Sequence, residues 1–209
     1  MNPEKTFLFL YGKVYPFIGF PLMTWLWYRS SGAAFAGLVM GLPLLFGYII
    51  PGIGTNILKK WRFRGSWVVG NYYIHHGFVY SSAMSLALYI GFVPDPAASV
   101  WAALANIIRT ACIIGFVGWW HDLISIRQGA HEVYNSAWRQ GAAPEVIVTQ
   151  YAPLCFSLIG AAYGMIAGWG YNALVLQGNV NALWWLIPVG LVLMALATMS
   201  PLLTDPYTA

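Results

Sequence analysis

The segment Val146–Leu174 reads VIVTQYAPLCFSLIGAAYGMIAGWGYNAL, and none of its 29 residues is charged. A helix that crosses a bilayer needs about 20 predominantly apolar residues. This segment is therefore long enough to span a membrane, with several residues to spare for tilt. It sets the fold class because comparable apolar segments recur along the rest of the chain.

The overall composition points the same way. Of the 209 residues, 59% are hydrophobic and 8% are charged, whereas an average soluble domain has about 25% charged residues. So few charges cannot cover the surface of a water-soluble globule, which excludes a soluble domain and a disordered chain. Cys112 and Cys155 lie in separate apolar segments, which excludes a disulfide framework and a zinc site of clustered cysteines.

The apolar segments predict an all-α fold: a polytopic membrane helix bundle with about six transmembrane helices in a single domain, 1–209. Between the fourth and fifth spans, apolar residues recur at helical spacing from Leu123 to Ala137, which is typical of an amphipathic helix. We expect an interfacial helix there, over about 121–140, lying on the membrane surface. The predicted spans are Phe7–Tyr28, Ala33–Pro51, Trp67–Val93, Ala98–Trp120, Val146–Leu174 and Ala182–Leu203.

The basic residues predict the orientation. Lys59, Lys60, Arg62 and Arg64 lie between the second and third spans, and short loops rich in Lys and Arg stay in the cytoplasm. With six spans, both termini are then cytoplasmic, and we expect a bacterial inner or intracytoplasmic membrane. Such a loop is typical of contact with anionic lipid headgroups, so we expect lipids and no nucleic acid among the partners.

Small residues recur at four-residue spacing on three spans. Such stripes allow helix backbones to approach closely, which is a main source of helix association in lipid. Two interpretations are open: packing inside this bundle, which the sequence favours, and docking onto other membrane protein subunits. The stripes are Gly37 and Gly41; Gly77, Ser81 and Ser85; and Gly160, Gly164 and Gly168.

Polar residues within apolar spans are the candidates for cofactor binding, because they are costly in lipid and are often functional. His75 and His76 lie in the third span with Tyr72 and Tyr80 at helical spacing. A neutral imidazole there would ligate haem iron or the magnesium of a (bacterio)chlorophyll, and the aromatic side chains would contact a carotenoid or a quinone. The alternative for both histidines is an interhelical hydrogen bond that fixes packing.

Arg109 lies near the middle of the fourth span, and no acidic residue in any predicted span is available to pair with it. Its guanidinium would therefore bond helix carbonyls, or meet a ligand carboxylate, a quinone carbonyl or an acidic group of another subunit.

The four histidines all fall toward the cytoplasmic side of this topology, with two acidic residues beside them. Such a cluster would bind iron or zinc. In a continuous helix, however, His121 and Glu132 lie about 16 Å apart, so they share an ion only if Gly129 breaks the helix. The candidate ligands are His75, His76, His121, His131, Asp122 and Glu132.

These features favour an accessory subunit of a larger bioenergetic membrane complex, respiratory or photosynthetic, that holds a pigment, haem, quinone or lipid. The alternative is a metal-dependent membrane enzyme that acts on a lipid or isoprenoid at the cytoplasmic face. A third class, a small transporter with Arg109 as an anion site, is disfavoured because the sequence shows no internal repeat. The sequence contains no recognisable catalytic motif and leaves open whether the protein is an enzyme.

Overall fold

The computed structural model describes residues 2–95, 97 and 99–201. This part of the chain is mostly helical. Its helices are α1 (Pro3–Phe9), α2 (Tyr15–Gly52), α3 (His76–Gly91), α4 (Val100–Arg127), α5 (Ser136–Arg139), α6 (Pro144–Thr149), α7 (Ala152–Gly170) and α8 (Leu183–Thr198), with π-helical turns over Leu10–Val14, Ile53–Ile57 and Tyr171–Leu176 and a 3₁₀ turn over Val180–Ala182. Its short strands are β1 (Trp61–Phe63), β2 (Val68–Val69), β3 (Tyr72–Tyr73) and β4 (His131–Val133).

Four helical segments of the described chain are long and apolar enough to cross a membrane. This agrees with a membrane protein, but the predicted count of about six spans is not confirmed. The first two predicted spans fall within one helical run, and α3 has only 16 residues. The four segments are Pro3–Ile57, Val100–Arg127, Pro144–Leu176 and Val180–Thr198.

The first of these segments turns back on itself at Gly32, whose backbone is non-helical with φ 81° and ψ 171°. The Tyr15 hydroxyl donates to the Ser82 carbonyl oxygen at 3.0 Å, and the Ser81 hydroxyl donates to the Met40 carbonyl oxygen at 2.7 Å. In a straight helix, residues 15 and 40 would be about 37 Å apart. Since both bond to neighbouring residues of α3, the two halves of α2 lie side by side.

The third predicted span is wrong at its beginning. The chain from Trp67 forms a hairpin in which Val68 pairs with Tyr73 and Val69 with Tyr72, and α3 begins only at His76. Gly70, at φ 64°, takes the turn between the strands, a conformation that glycine adopts at no steric cost.

The predicted interfacial helix over 121–140 is also wrong. Helix α4 continues to Arg127 and ends where Gly129 adopts φ 67°. The Ala130 amide then bonds the Ser125 carbonyl oxygen at 2.9 Å, the pattern of a Schellman C-cap. The chain turns back into β4, which pairs antiparallel with β1. We call the end of the bundle that carries β1, β4 and the last turn of α4 the sheet end.

The small-residue stripes are used in two ways. A Cβ atom on Gly160 would lie 2.8 Å from the Thr110 carbonyl oxygen, so this glycine allows α7 to contact the backbone of α4. Gly77 likewise faces the backbone of α2. Hypothetical Cβ atoms on Gly37, Gly41 and Gly168 meet nothing within 4 Å. Packing inside the bundle therefore explains the stripe of Gly77, Ser81 and Ser85 and part of the stripe on α7, but not the pair Gly37 and Gly41.

Gly160 and Gly168 form a matched pair for testing this packing, because both lie within α7 and only Gly160 contacts the backbone of α4. We expect Gly160→Ala to lower the free energy of unfolding by about 1–3 kcal/mol, since its methyl group would overlap the α4 backbone. Gly168→Ala should change it by less than about 0.5 kcal/mol. Thermal or SDS-induced unfolding in detergent measures both, and equal effects of the two substitutions would contradict the packing.

Candidate functional site

The sheet end brings together polar residues that are far apart in sequence. His121 and Asp122 lie on the last two turns of α4. The reversal at Gly129 returns the chain toward them, and the β1–β4 register places His131 opposite Phe63. His76, the first residue of α3, packs against the same Phe63 ring at 4.8 Å between centroids.

Asp122 is the centre of the resulting cluster. The residue is only 5% exposed, and its carboxylate accepts a hydrogen bond from the Tyr151 hydroxyl at 2.7 Å. His121 Nδ1 lies 3.0 Å from Oδ1 of the same carboxylate. His131 Nδ1 lies 3.7 Å from that oxygen, which is beyond hydrogen-bonding distance. A buried carboxylate is costly unless it is hydrogen-bonded, and these neighbours supply the bonds.

Two of the histidines are buried without hydrogen bonds. His76 and His131 are 5% and 4% exposed, and both ring nitrogens of each have no partner within the described residues. The Phe63 ring separates them and stacks on His131 at 4.5 Å. An unsatisfied buried polar group costs about 1–3 kcal/mol. A hydrogen bond from a bound molecule to either imidazole would therefore recover this cost.

A large cavity adjoins Asp122 and His131. It has a volume of about 380 Å³, and its wall is mostly apolar, with α2, α7 and α8 each contributing side chains. Its apolar lining residues include Phe46, Ile50, Trp61, Ile159, Ala195 and Met199, and its polar lining residues include Asp122, His131, Asn135, Gln150 and Tyr151.

A second, narrow cavity of about 80 Å³ lies between α3 and α4 and contains His76, His121 and Asp122 in its wall. The two cavities share the side chains that separate them. These are Phe63, Tyr80, Asp122, Phe156 and Ile159.

The residues predicted to bind a cofactor are only partly brought together. His76 and Tyr80 contact each other at 4.9 Å between ring centroids, and Tyr72 lies edge-on to His76 at 6.2 Å. His75 is outside both cavities, and its Nε2 is 2.5 Å from the Gly12 carbonyl oxygen. Arg109 is exposed and distant from the cluster, with its guanidinium 3.4 Å from the Asn106 side-chain oxygen.

The predicted metal ligands are also divided. Glu132 turns away from the histidines, and its carboxylate binds Arg62 at 2.5 Å and Arg64 at 2.6 Å. His75 bonds the backbone of the first helical segment instead. Among the described residues, no group of three or more His, Cys, Asp and Glu side chains is arranged to hold a metal ion. The geometry therefore gives no support to the six-residue metal site.

Glu132 instead has a structural role that joins β4 to β1. Partial burial on its own would raise the pKa of its carboxyl group, but the hydrogen bonds from Arg62 and Tyr134 and the charges of Arg62 and Arg64 lower the pKa overall. The ionised form of Glu132 is thus favoured by folding.

Sequence reasoning missed two members of the site. Tyr151 lies between α6 and α7, inside what the sequence presents as one apolar span. Phe63 lies in a basic loop and becomes central only through the pairing of β1 with β4. The first carried a weak signal, a polar pair of Gln150 and Tyr151 within an apolar segment; the second carried none.

Comparisons of the chain with known protein families, with curated proteins and with solved structures found no match. Function therefore follows from the chemistry of the site itself.

The pairing of Glu132 with two arginines predicts a pH dependence. Because folding lowers its pKa, Glu132 adds stability above the ordinary Glu pKa of about 4.3, and this contribution is lost as the pH falls through the lower folded-state pKa. Glu132→Gln should cost about 1 kcal/mol at pH 7. The difference from wild type should shrink on acidification to about pH 3. Unfolding in detergent at both pH values measures this, and a pH-independent difference would refute it.

Proposed function

We propose that the protein is a membrane subunit that holds an amphiphilic ligand, of the lipid or quinone type, in the cavity at its sheet end. The observation that carries this proposal is the mostly apolar cavity of about 380 Å³, whose wall contains Asp122 and His131, an imidazole with no hydrogen bond among the described residues. Ligand pockets in proteins measure about 300–1,000 Å³ and combine apolar walls with a few convergent polar groups. Both criteria are met.

The polar end indicates the head group. Asn135 and Gln150 already have hydrogen-bond partners: Asn135 donates to the Ile147 carbonyl oxygen at 2.8 Å, and Gln150 bonds Ser136 at 3.0 Å. His131 has none among the described residues. With the Asp122 carboxylate beside Nδ1, the favoured tautomer carries its proton there, which leaves Nε2 as an acceptor. A hydroxyl of a lipid or quinol would donate to it.

The apolar end indicates the remainder of the ligand. Helices α2, α7 and α8 contribute Phe46, Ile50, Ile159 and Ala195 to the cavity wall. A hydrocarbon chain or ring buried there is stabilised by about 25 cal/mol for each Å² removed from water. A ligand that enters from the bilayer is already out of water and gains little of this free energy. Its specificity therefore depends on the polar groups of the cavity.

Membership of a larger complex is supported by two glycines that do not pack against any other helix of the described bundle. Gly37 and Gly41 are adjacent on one face of α2, and neither has a neighbour within 4 Å of a hypothetical Cβ. Small residues on a lipid-facing surface favour close docking of another helix. We propose that other membrane subunits of a bioenergetic complex, respiratory or photosynthetic, cover this face. In this proposal the sheet end faces the cytoplasm of a bacterial inner or intracytoplasmic membrane, in agreement with its basic loop.

The second candidate is an enzyme that acts on a lipid or isoprenoid at the same site. It is favoured by the convergence of His121 and His131 on the Asp122 carboxylate, because a carboxylate that orients a histidine is the arrangement of a general base. His131 would take a proton from a substrate hydroxyl, and Asp122 would hold the ring. Elemental analysis decides the metal-dependent form of this candidate: stoichiometric iron or zinc lost in His131→Phe would favour it.

Two substitutions test the ligand-holding proposal. Ala195→Trp fills the cavity, and His131→Phe removes the bonding group while keeping a flat ring. Protein purified from native membranes in mild detergent should retain about one ligand per chain, found by solvent extraction, absorption spectroscopy and mass spectrometry. We expect both substitutions to lower the affinity, and with it the amount of ligand retained through purification, at least about fivefold, as the loss of one hydrogen bond or of the space would do.

His75→Phe is the matched control, because it makes the same change as His131→Phe at a histidine that lies outside both cavities. It should retain the ligand. Equal occupancy in all four proteins, or no molecule beyond bulk lipid in wild type, would contradict the proposal.

A further inference from the structure

The narrow cavity between α3 and α4 is long as well as thin, and we call it the α3–α4 cleft. On α3 its wall runs from His76 to Ala87, which is about 16 Å along a helix axis. On α4 the wall runs from Ile114 to Asp122. Apart from one end, its side chains are apolar. The apolar members are Val79, Ala83, Met84, Ala87, Ile114, Val117 and Ile159.

The polar end of the cleft contains a buried side chain with nothing to bond. His76 is 5% exposed, and neither of its ring nitrogens has a partner in the described residues. Its ring is fixed by contacts with Tyr80 at 4.9 Å and with Phe63 at 4.8 Å. A fixed, buried and unsatisfied imidazole facing a cleft is a binding group, because a bond to it recovers the cost of its burial.

The dimensions select the shape of the occupant. The cleft has a volume of about 80 Å³, well below the cavity of about 150 Å³ that accommodates a benzene ring. A ring system therefore does not fit inside the cleft, and a hydrocarbon chain fits only with its hydroxyl end and first carbons enclosed and the rest of its length in the open part of the cleft. Ala83 and Val117 are only half-buried, so such a chain can lie along the cleft with one side toward the lipid.

The charges select the head group. The Asp122 carboxylate lines the same end of the cleft, and a second carboxylate or phosphate beside it would be repelled. A hydroxyl is neutral, and it can both donate to one imidazole nitrogen and accept from another donor. We propose that the α3–α4 cleft binds a single-chain alcohol, prenyl or fatty, with its hydroxyl on His76 and its chain between α3 and α4.

This site is independent of the ligand in the large cavity. Phe63 and Tyr80 stand between the two cavities, and each cavity has its own unpartnered histidine. A side chain that fills one cavity can therefore be introduced without touching the other.

The test uses farnesol with a diazirine on its chain, crosslinked to the full-length protein in phosphatidylcholine vesicles. Peptides that contain Val79–Ala87 or Ile114–Gly118 should be labelled. Unlabelled farnesol should compete, and palmitate, which has a charged head, should not. His76→Phe and Ala83→Trp should each reduce this labelling at least about fivefold, which corresponds to the loss of one bond or of the space.

Three control variants make the result specific. His75→Phe removes a histidine that lies outside the cleft, and Ile108→Trp adds a large side chain on an exposed face of α4. Both variants should be labelled like wild type. Ala195→Trp, which fills the large cavity, should also keep the label, so that failure here and failure of the ligand-holding proposal can be told apart. If His76→Phe does not fold, Ala83→Trp gives the result alone. Labelling that is unaffected by Ala83→Trp, or that palmitate competes equally, shows unspecific lipid contact and overturns the proposal.

Discussion

The buried carboxylate of Asp122 requires hydrogen-bond donors, and other residues of the sheet end supply them. An ionised group in an apolar bundle is stable only with hydrogen-bond donors around it. The Tyr151 hydroxyl, at the start of α7, donates a hydrogen bond to the carboxylate at 2.7 Å. His121, which precedes Asp122 in α4, provides a second hydrogen bond through Nδ1. The reversal at Gly129 brings His131 Nδ1 to 3.7 Å from the same carboxylate, which is too far for a hydrogen bond. Asp122 thus bonds α7 to α4, and β4 lies beside this pair.

Asp122 lies in the wall of both the large cavity and the α3–α4 cleft. On one side is a wide cavity with His131 at its polar end; on the other is the narrow α3–α4 cleft with His76. Each histidine is buried, stacked or held by Phe63, and without a hydrogen bond in the described residues. Natural proteins keep few such groups, and these two buried histidines are the observation that supports the proposed binding sites.

The sequence predicted the membrane class of the fold and the long apolar helices, since these depend only on local composition. It failed where pairing between distant segments decides the structure. The sequence predicts helix for the hairpin from Trp67 to His75, because it lies in a long apolar run. It predicts helix for the strand at His131 because the apolar residues around it fit a helical period. Gly129 decides the difference: the sequence names it only as a position where the helix could break, and in the structure its left-handed conformation follows the end of α4. The approach of His131 to Asp122 depends on that turn. The separation of His75, Glu132 and Arg109 depends on side-chain partners that no spacing reveals.

A high-resolution cryo-EM map of the protein in its native membrane assembly tests the central claim most directly. The account predicts non-protein density within the cavity bounded by Trp61, Ile159 and Ala195, with a polar atom at hydrogen-bonding distance from His131. A cavity closed by repacked side chains, with His131 bonded to the protein itself, would contradict it.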